Sequence, residues 1–393
     1  MRILSIETSC DETAVSIITA NGDFPLATYE VIGNALFSQI ALHAPYGGVF
    51  PTLAKREHAK ALVPLMQKAL AEAELLVDGS HNATKTQIAD ITVLLEREPE
   101  LAETLTAFMD SYNDPEIDLI AVTVGPGLEP ALWVGVNFAK VLAEVWNKKV
   151  VAVNHMEGHV LASVYDVVED NQLAQINFPA IALLISGGHT ELLLMKNWGQ
   201  YEKIGQTRDD ALGEAFDKVA RLMGISYPGG PKLSKLAALG RKAKLPPFKE
   251  DLPRPMIHSN DLDFSFSGLK TAVSYAVKGK ELTETNKQSL ARDFEDAVTD
   301  VLIKKASAAV TEHNAQSLIV GGGVSANTYI RTELNRHFLT EHPSCELYFP
   351  TPGLSTDNSI MIALAGHAHA SNASNAAAAR LFKAEGNRSI ASN

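Results

Sequence analysis

The 393-residue chain carries 34 lysines and arginines against 46 aspartates and glutamates, a net charge of −12, with 46% hydrophobic residues. This composition excludes global disorder, fits two domains, and excludes indiscriminate nucleic-acid binding, which needs clustered cations. Two cysteines, Cys10 and Cys345, are too few for a disulfide framework, Glu7 comes too early for a secretory leader, and no apolar run approaches the ~20 residues of a membrane span, so a reducing cytoplasm is expected.

Residues 2–7 form an opening strand, and residues 14–19, with Val15 and Ile17 alternating, its hairpin partner. The turn between them, Thr8-Ser9-Cys10-Asp11-Glu12-Thr13, is dense in hydroxyls and carboxylates that suit a phosphate, a metal-bound water or a reacting amine; an ordinary turn would read the same. A glycine loop at 46–51 precedes a long helix from Thr52 to about Ala73 with Lys55, Arg56, His58 and Lys60 in its first half. Across Val77–Pro115 two helical pieces are expected, 84–96 and 99–112, and the second carries Leu101, Leu105, Phe108 and Met109 as a packing stripe. A strand at 117–124, a turn at Gly125-Pro126-Gly127-Leu128 and a helix at 130–146 give α/β character.

The apolar run Val150–Val153 is followed by Asn154 at an N-cap position and by His155-Met156-Glu157-Gly158-His159. On a helix, positions i and i+4 share a face, so both imidazoles can point at one metal ion. Zinc proteases place their catalytic Glu directly after the first His, where this chain has Met156; Glu157 lies ~200° around the helix and faces away. The bland alternative is two solvent-facing histidines.

The second half repeats the opening. Strands 180–185 and 191–195 flank Ser186-Gly187-Gly188-His189-Thr190, whose amides and hydroxyls suit phosphate. Two hairpins with anion-suited turns, each opening one half of the chain, are the signature of actin-like nucleotide-binding folds. A helix is expected from Asp209 to about Met223, then the turn Tyr227–Pro231 and a basic run of Lys232, Lys235, Arg241, Lys242, Lys244, Lys249 and Arg254 against Glu250 and Asp251. A helix at 286–313, a strand at 317–320 and Gly321-Gly322-Gly323 lead to a loop at 350–358 and an Ala-rich helix, with the last residues frayed.

Taken in order, these motifs resemble the TsaD family of bacterial tRNA N6-adenosine threonylcarbamoyltransferases. The carrying residues are Ile6–Thr13, Tyr46-Gly47-Gly48, Gly125–Leu128, His155–His159, Ser186–Thr190, Gly213–Lys218, Tyr227–Pro231, Phe264–Lys270, Gly322–Asn327 and Thr356-Asp357-Asn358. The resemblance implies an α/β, duplicated actin-like two-lobed fold with its active site in the inter-lobe cleft. The division expected is 1–153 plus 351–393, with a helical insertion at about 77–115, and 154–350, carrying the His-x-x-x-His helix and the nucleotide-binding turns.

The resemblance also assigns metal ligands, His155, His159 and Asp357, for one Fe2+ or Zn2+. Nucleotide-binding positions fall on Leu184, Ile185, Ser186, Gly187, Gly188, Asp217, Gly230 and Asn327. The implied reaction moves the threonylcarbamoyl group of threonylcarbamoyl-AMP to N6 of the adenosine 3′ of the anticodon in tRNAs reading codons that begin with A. Implied partners are tRNA, a TsaB-like paralogue and a TsaE-like ATPase, with no membrane. Asp11 is the candidate proton-handling carboxylate; its alternative role is to hold a metal-bound water. An actin-like kinase or ATPase leaves the histidines unexplained, a zinc protease lacks its base at Met156, and a non-enzymatic scaffold has no use for an intact ligand set. The chain departs from the family at Val77–Pro115 and at Glu129-Pro130 after the glycine turn.

Overall fold

The segment Ile3-Leu4-Ser5-Ile6-Glu7 is buried throughout, as the central strand of a sheet covered on both faces must be. In the computed structural model, which describes residues 1–81, 84–166, 171–248 and 251–392, this strand is β1 (Arg2–Glu7). It pairs antiparallel with β2 (Glu12–Asn21), which pairs with β3 (Thr28–Ser38). The short α1 (Ile40–His43) precedes α2 (Pro51–Glu72), α3 (Lys85–Leu94) and α4 (Pro99–Ser111). Then follow β4 (Leu119–Gly125), α5 (Glu129–Trp146), β5 (Lys149–Asn154), α6 (His155–Val164) and the two-residue strands β6 (Tyr165–Asp166) and β7 (Gln172–Leu173). The sheet order is β5-β4-β1-β2-β3-β7-β6, with β4 parallel to β1 and β5.

The second sheet uses β8 (Ala180–Ile185), β9 (Thr190–Asn197) and β10 (Gln200–Gln206). Helices α7 (Leu212–Leu222), α8 (Gly230–Lys242), α9 (Ser267–Val277) and α10 (Glu284–His313) separate these from β11 (Ser317–Gly321), α11 (Thr328–Glu341) and β12 (Glu346–Tyr348). Its order is β10-β9-β8-β11-β12, with β11 parallel to β8 and β12. Each sheet therefore has an antiparallel three-strand meander whose first strand continues in parallel to the fourth and fifth. The duplication read from the two hairpins holds for whole sheets. The chain ends in α12 (Ser359–Ala368) and α13 (Ala376–Ala379).

Two units result: Met1–Ala174 with Asp357–Ser392, and Gln175–Thr356. The boundary lies later than the one expected at residue 153, so the His-x-x-x-His helix belongs to the first unit. The reason is packing: α6 lies against α12, and β6 and β7 extend the first sheet. Leu4 and Ile6 of β1 join Val134 and Phe138 of α5 in one cluster, whereas Ile3, on the opposite face by strand alternation, meets α12 at Gly366.

Strands β3, β10 and β12 escaped the sequence reading because half-exposed or very short strands lack clean alternation. In the insertion, Leu101, Leu105, Phe108 and Met109 of α4 enter the first unit's core with Ile91 and Leu95, and α4 packs on α2. The tail is not frayed as expected. Ser374 pairs with Val150, Glu385 N–H donates to Val124 O at 2.8 Å, and Gly127 N–H donates to Gly386 O at 3.0 Å. Among the described residues no helix is long and apolar enough to cross a membrane.

Candidate metal centre

Strand β5 runs into α6 without a loop, because Asn154 keeps extended backbone while its side chain accepts from Met156 N–H at 2.9 Å and caps the helix. His155 and His159 then share one face, with ring centroids 4.7 Å apart. Asp357 reaches them from the residue before the Asn358 cap of α12, which accepts from Met361 N–H at 3.0 Å. Gly158 permits this approach, since a Cβ there would stand 3.0 Å from Met361 Cγ. Asp357 Oδ1 lies 3.4 Å from His155 Nε2 and 3.2 Å from His159 Nε2, and the three ligand atoms fall within 4.8 Å of one another.

These residues fit a metal ion. Both ring nitrogens of His159 are buried without a hydrogen-bond partner, so Nε2 and Oδ1 are close but not aligned on each other. Buried polar atoms left this way are costly unless something else satisfies them. Two imidazoles and a carboxylate leave open coordination positions and suit iron or zinc.

The sequence reading missed Glu7 as the partner that orients His155. Its Oε2 lies 3.0 Å from His155 Nδ1 and accepts from Thr123 Oγ1 at 2.6 Å, while Oε1 accepts from Ser9 N–H at 2.5 Å. This network assigns the proton to Nδ1 and frees the Nε2 lone pair for a ligand position. A lone carboxylate ending a buried strand was the available signal. Burial opposes charge on every group here. Even so, Glu7 and Asp357 hold His155 well above its usual range, and the two imidazoles hold Asp357 below the carboxylate range. Burial lowers His159. Glu157 is turned away to His369, 2.7 Å from its Nε2.

Asp11, on the β1–β2 turn of the same unit, is 7% exposed, and its Oδ2 is buried without a hydrogen-bond partner. The turn is clamped from α2, where His58 donates from Nε2 to Cys10 O at 3.0 Å and accepts at Nδ1 from Thr13 Oγ1 at 2.7 Å. Gln39 N–H donates to Asp11 O at 2.8 Å. Burial pushes His58 down to about 4 and, with the Asp357 and Asp11 charges, pushes Glu12 up to about 9.

Because folded His58 resists protonation, its contribution to stability is complete above the unfolded pKa near 6.5 and is lost as pH falls toward 4. Between neutrality and about pH 5 the loss should reach roughly 2 kcal/mol. Urea midpoints for wild type and His58→Gln should therefore converge on acidification; parallel curves would remove His58 as the cause.

The remaining sequence-assigned positions lie in the second unit. Leu184 and Ile185 are fully buried, so only their backbone is available to a ligand. The exposed Gly187 and Gly188 turn is closed by Ser186 N–H donating to His189 O at 2.8 Å, and Gly213 N–H at the start of α7 donates to Ser186 O at 3.1 Å. A helix N-terminus beside free turn amides is an anion-suited arrangement. Asp217 and Gly230 are brought together: Asp217 Oδ1 accepts from Gly229 and Gly230 N–H at 2.7 and 3.1 Å. The position that demands glycine is Gly229, where a Cβ would collide with that of Ala220. Asn327 caps α11. Its amide donates to Ser234 and Glu295 while Oδ1 accepts from Tyr329 and Ile330 N–H, so the side chain is held in place by four internal hydrogen bonds.

A sheet plan used twice, with two buried histidines and a half-buried aspartate converging in one copy, defines a duplicated actin-like protein bearing a metal-type site. A family model described as TsaD, tRNA N6-adenosine threonylcarbamoyltransferase, matches residues 30–80 and 99–364, and the chain belongs to that family. It is 41% identical over 374 residues to the tRNA N6-adenosine threonylcarbamoyltransferase of Burkholderia ambifaria (strain MC40-6), covering 93% of this chain and 91% of that one. The protein of the same name from Ralstonia pickettii (strain 12J) is 40% identical over 371 residues, covering 93% and 90%. A solved structure of full-length HypF in its phosphate- and nucleotide-bound form aligns with a TM-score of 0.46 at 13% identity, covering 98% of this chain and 56% of that one. The family match skips residues 81–98, which is α3 and its flanks; α4 lies inside it, so the unmatched stretch is shorter than the insertion expected at 77–115.

Proposed function

We propose that this chain transfers the threonylcarbamoyl group of threonylcarbamoyl-AMP to N6 of the adenosine 3′ of the anticodon in tRNAs reading codons that begin with A. Family membership across both units, with His155, His159 and Asp357 converging in the first, is the observation that carries the reading. His155, His159 and Asp357 would hold one iron or zinc ion, which supplies Lewis-acid polarisation of the threonylcarbamoyl group when bound. The amide turn Ser186–Gly188 takes the phosphate, and the Asp217–Gly230 pair takes the ribose side of the nucleotide. The N6 nitrogen forms a bond to the carbamoyl carbon, the bond from that carbon to the phosphate oxygen breaks, and AMP leaves with the electron pair. Asp11 accepts the N6 proton. A TsaB-like paralogue and a TsaE-like ATPase are the expected assembly partners.

The test is incubation with threonylcarbamoyl-AMP and unmodified tRNA, followed by digestion to nucleosides. Threonylcarbamoyladenosine is the expected product. Its absence, under conditions where the adenylate is bound, would overturn the reading.

A further inference from the structure

Helices α7 and α9 of the second unit border a cleft of about 650 Å³ whose charged lining is wholly cationic: Lys218, Arg221, Lys270 and Lys278. Among the described residues no carboxylate lines it. Tyr275 stands in its wall with 73% of its surface exposed. In a chain of net charge −12 such a surface is against the average. Two other charged clefts show the contrast. That at Lys55 and Arg97 also carries Glu96, Glu98 and Glu129, and that at Arg241 and Arg254 carries Asp251, Asp293 and Asp296.

In the basic run at 232–254 the two arginines are paired with carboxylates within the protein. Arg241 pairs with Glu295 and with Asp296, and Arg254 lies 3.0 Å from Asp300; Lys249 and Glu250 lie outside the described residues. In the α7–α9 cleft two of the four cations are held by acidic partners that are not part of its lining. Lys218 Nζ is 2.7 Å from both Asp210 and Glu214, and Lys270 Nζ is 3.5 Å from Asp210.

Cations at fixed positions suit phosphates, and an exposed ring among them suits an unstacked base, since every base has a face to stack on. We propose that the α7–α9 cleft is an RNA-docking surface, with its cations on tRNA phosphates and Tyr275 stacked on an unpaired base. The inference rests on the tRNA reading above and adds which surface of the second unit grips the substrate.

The experiment measures affinity for an unmodified tRNA against salt concentration, using the full chain in the assembly that modifies tRNA. Joint Arg221→Glu and Lys278→Glu should weaken binding at least about tenfold and flatten the log–log salt slope by roughly 1.4–1.8. Tyr275→Ala should weaken binding roughly tenfold with the slope unchanged, and Tyr275→Phe should retain it. Metal content and adenylate binding should stay at wild-type levels in all of them. Wild-type protein that binds and modifies tRNA alongside variants that bind equally well overturns the docking surface alone. Wild-type protein that neither binds nor modifies tRNA overturns the activity reading with it. Variants that keep tRNA affinity but lose an assembly partner assign the cleft to an acidic protein and overturn the RNA proposal.

Discussion

His159→Ala is expected to leave the protein folded and nearly metal-free. The side chain is 1% exposed, and both its ring nitrogens lack hydrogen-bond partners, so its removal deletes no internal hydrogen bond and relieves two unsatisfied atoms. A histidine kept in the core for packing alone would show the reverse, an intact metal stoichiometry and a lower melting temperature. Loss of one of three protein ligands should weaken metal affinity by more than about a hundredfold, and threonylcarbamoyl transfer should fall with it. Glu7→Ala supplies the graded comparison. It frees the His155 ring to rotate or change tautomer but leaves all three ligands, so the loss should be about 10–100-fold. Elemental analysis of both variants after anaerobic purification decides the matter. Stoichiometric metal in His159→Ala would remove that side chain from the ligand set.

The His-x-x-x-His face was legible because it depends only on helical spacing and a capping Asn, both local properties. Asp357 was not legible from spacing. It lies some two hundred residues away in sequence and comes to the histidines through α6–α12 packing, so the family resemblance alone supplied it. Glu7 was quoted within a motif, yet its role appears only when β1, β4 and α6 converge on one carboxylate. The domain boundary failed for a related reason. Val150–Val153 reads as the end of a domain's strand, but α6 is held in the first unit by a helix from the far end of the chain. Asn327, like Asp357, came from the family resemblance alone, and its place as the cap of α11 and partner of Glu295 appears only in the fold.

Asp11→Asn should lower the transfer rate by about 10²–10⁴-fold while metal content and adenylate affinity hold. The turn backbone is fixed independently of the carboxylate, by Gln39 N–H on Asp11 O and by His58 on Cys10 O, so the substitution keeps geometry and removes basicity. Asp11 Oδ2 is buried without a hydrogen-bond partner, which leaves it an acceptor position for a substrate proton. The neighbouring Glu12 cannot stand in. Burial first, and then the charges of Asp357 and Asp11, push it up to about 9, toward the protonated form. Glu12→Gln replaces one neutral group by another and should therefore cost far less than Asp11→Asn. Single-turnover transfer with preloaded adenylate measures chemistry without product release. Equal damage from the two variants would mean that the turn is sensitive to any change in its hydrogen bonding, and a near wild-type rate in Asp11→Asn would move the proton acceptor to another group.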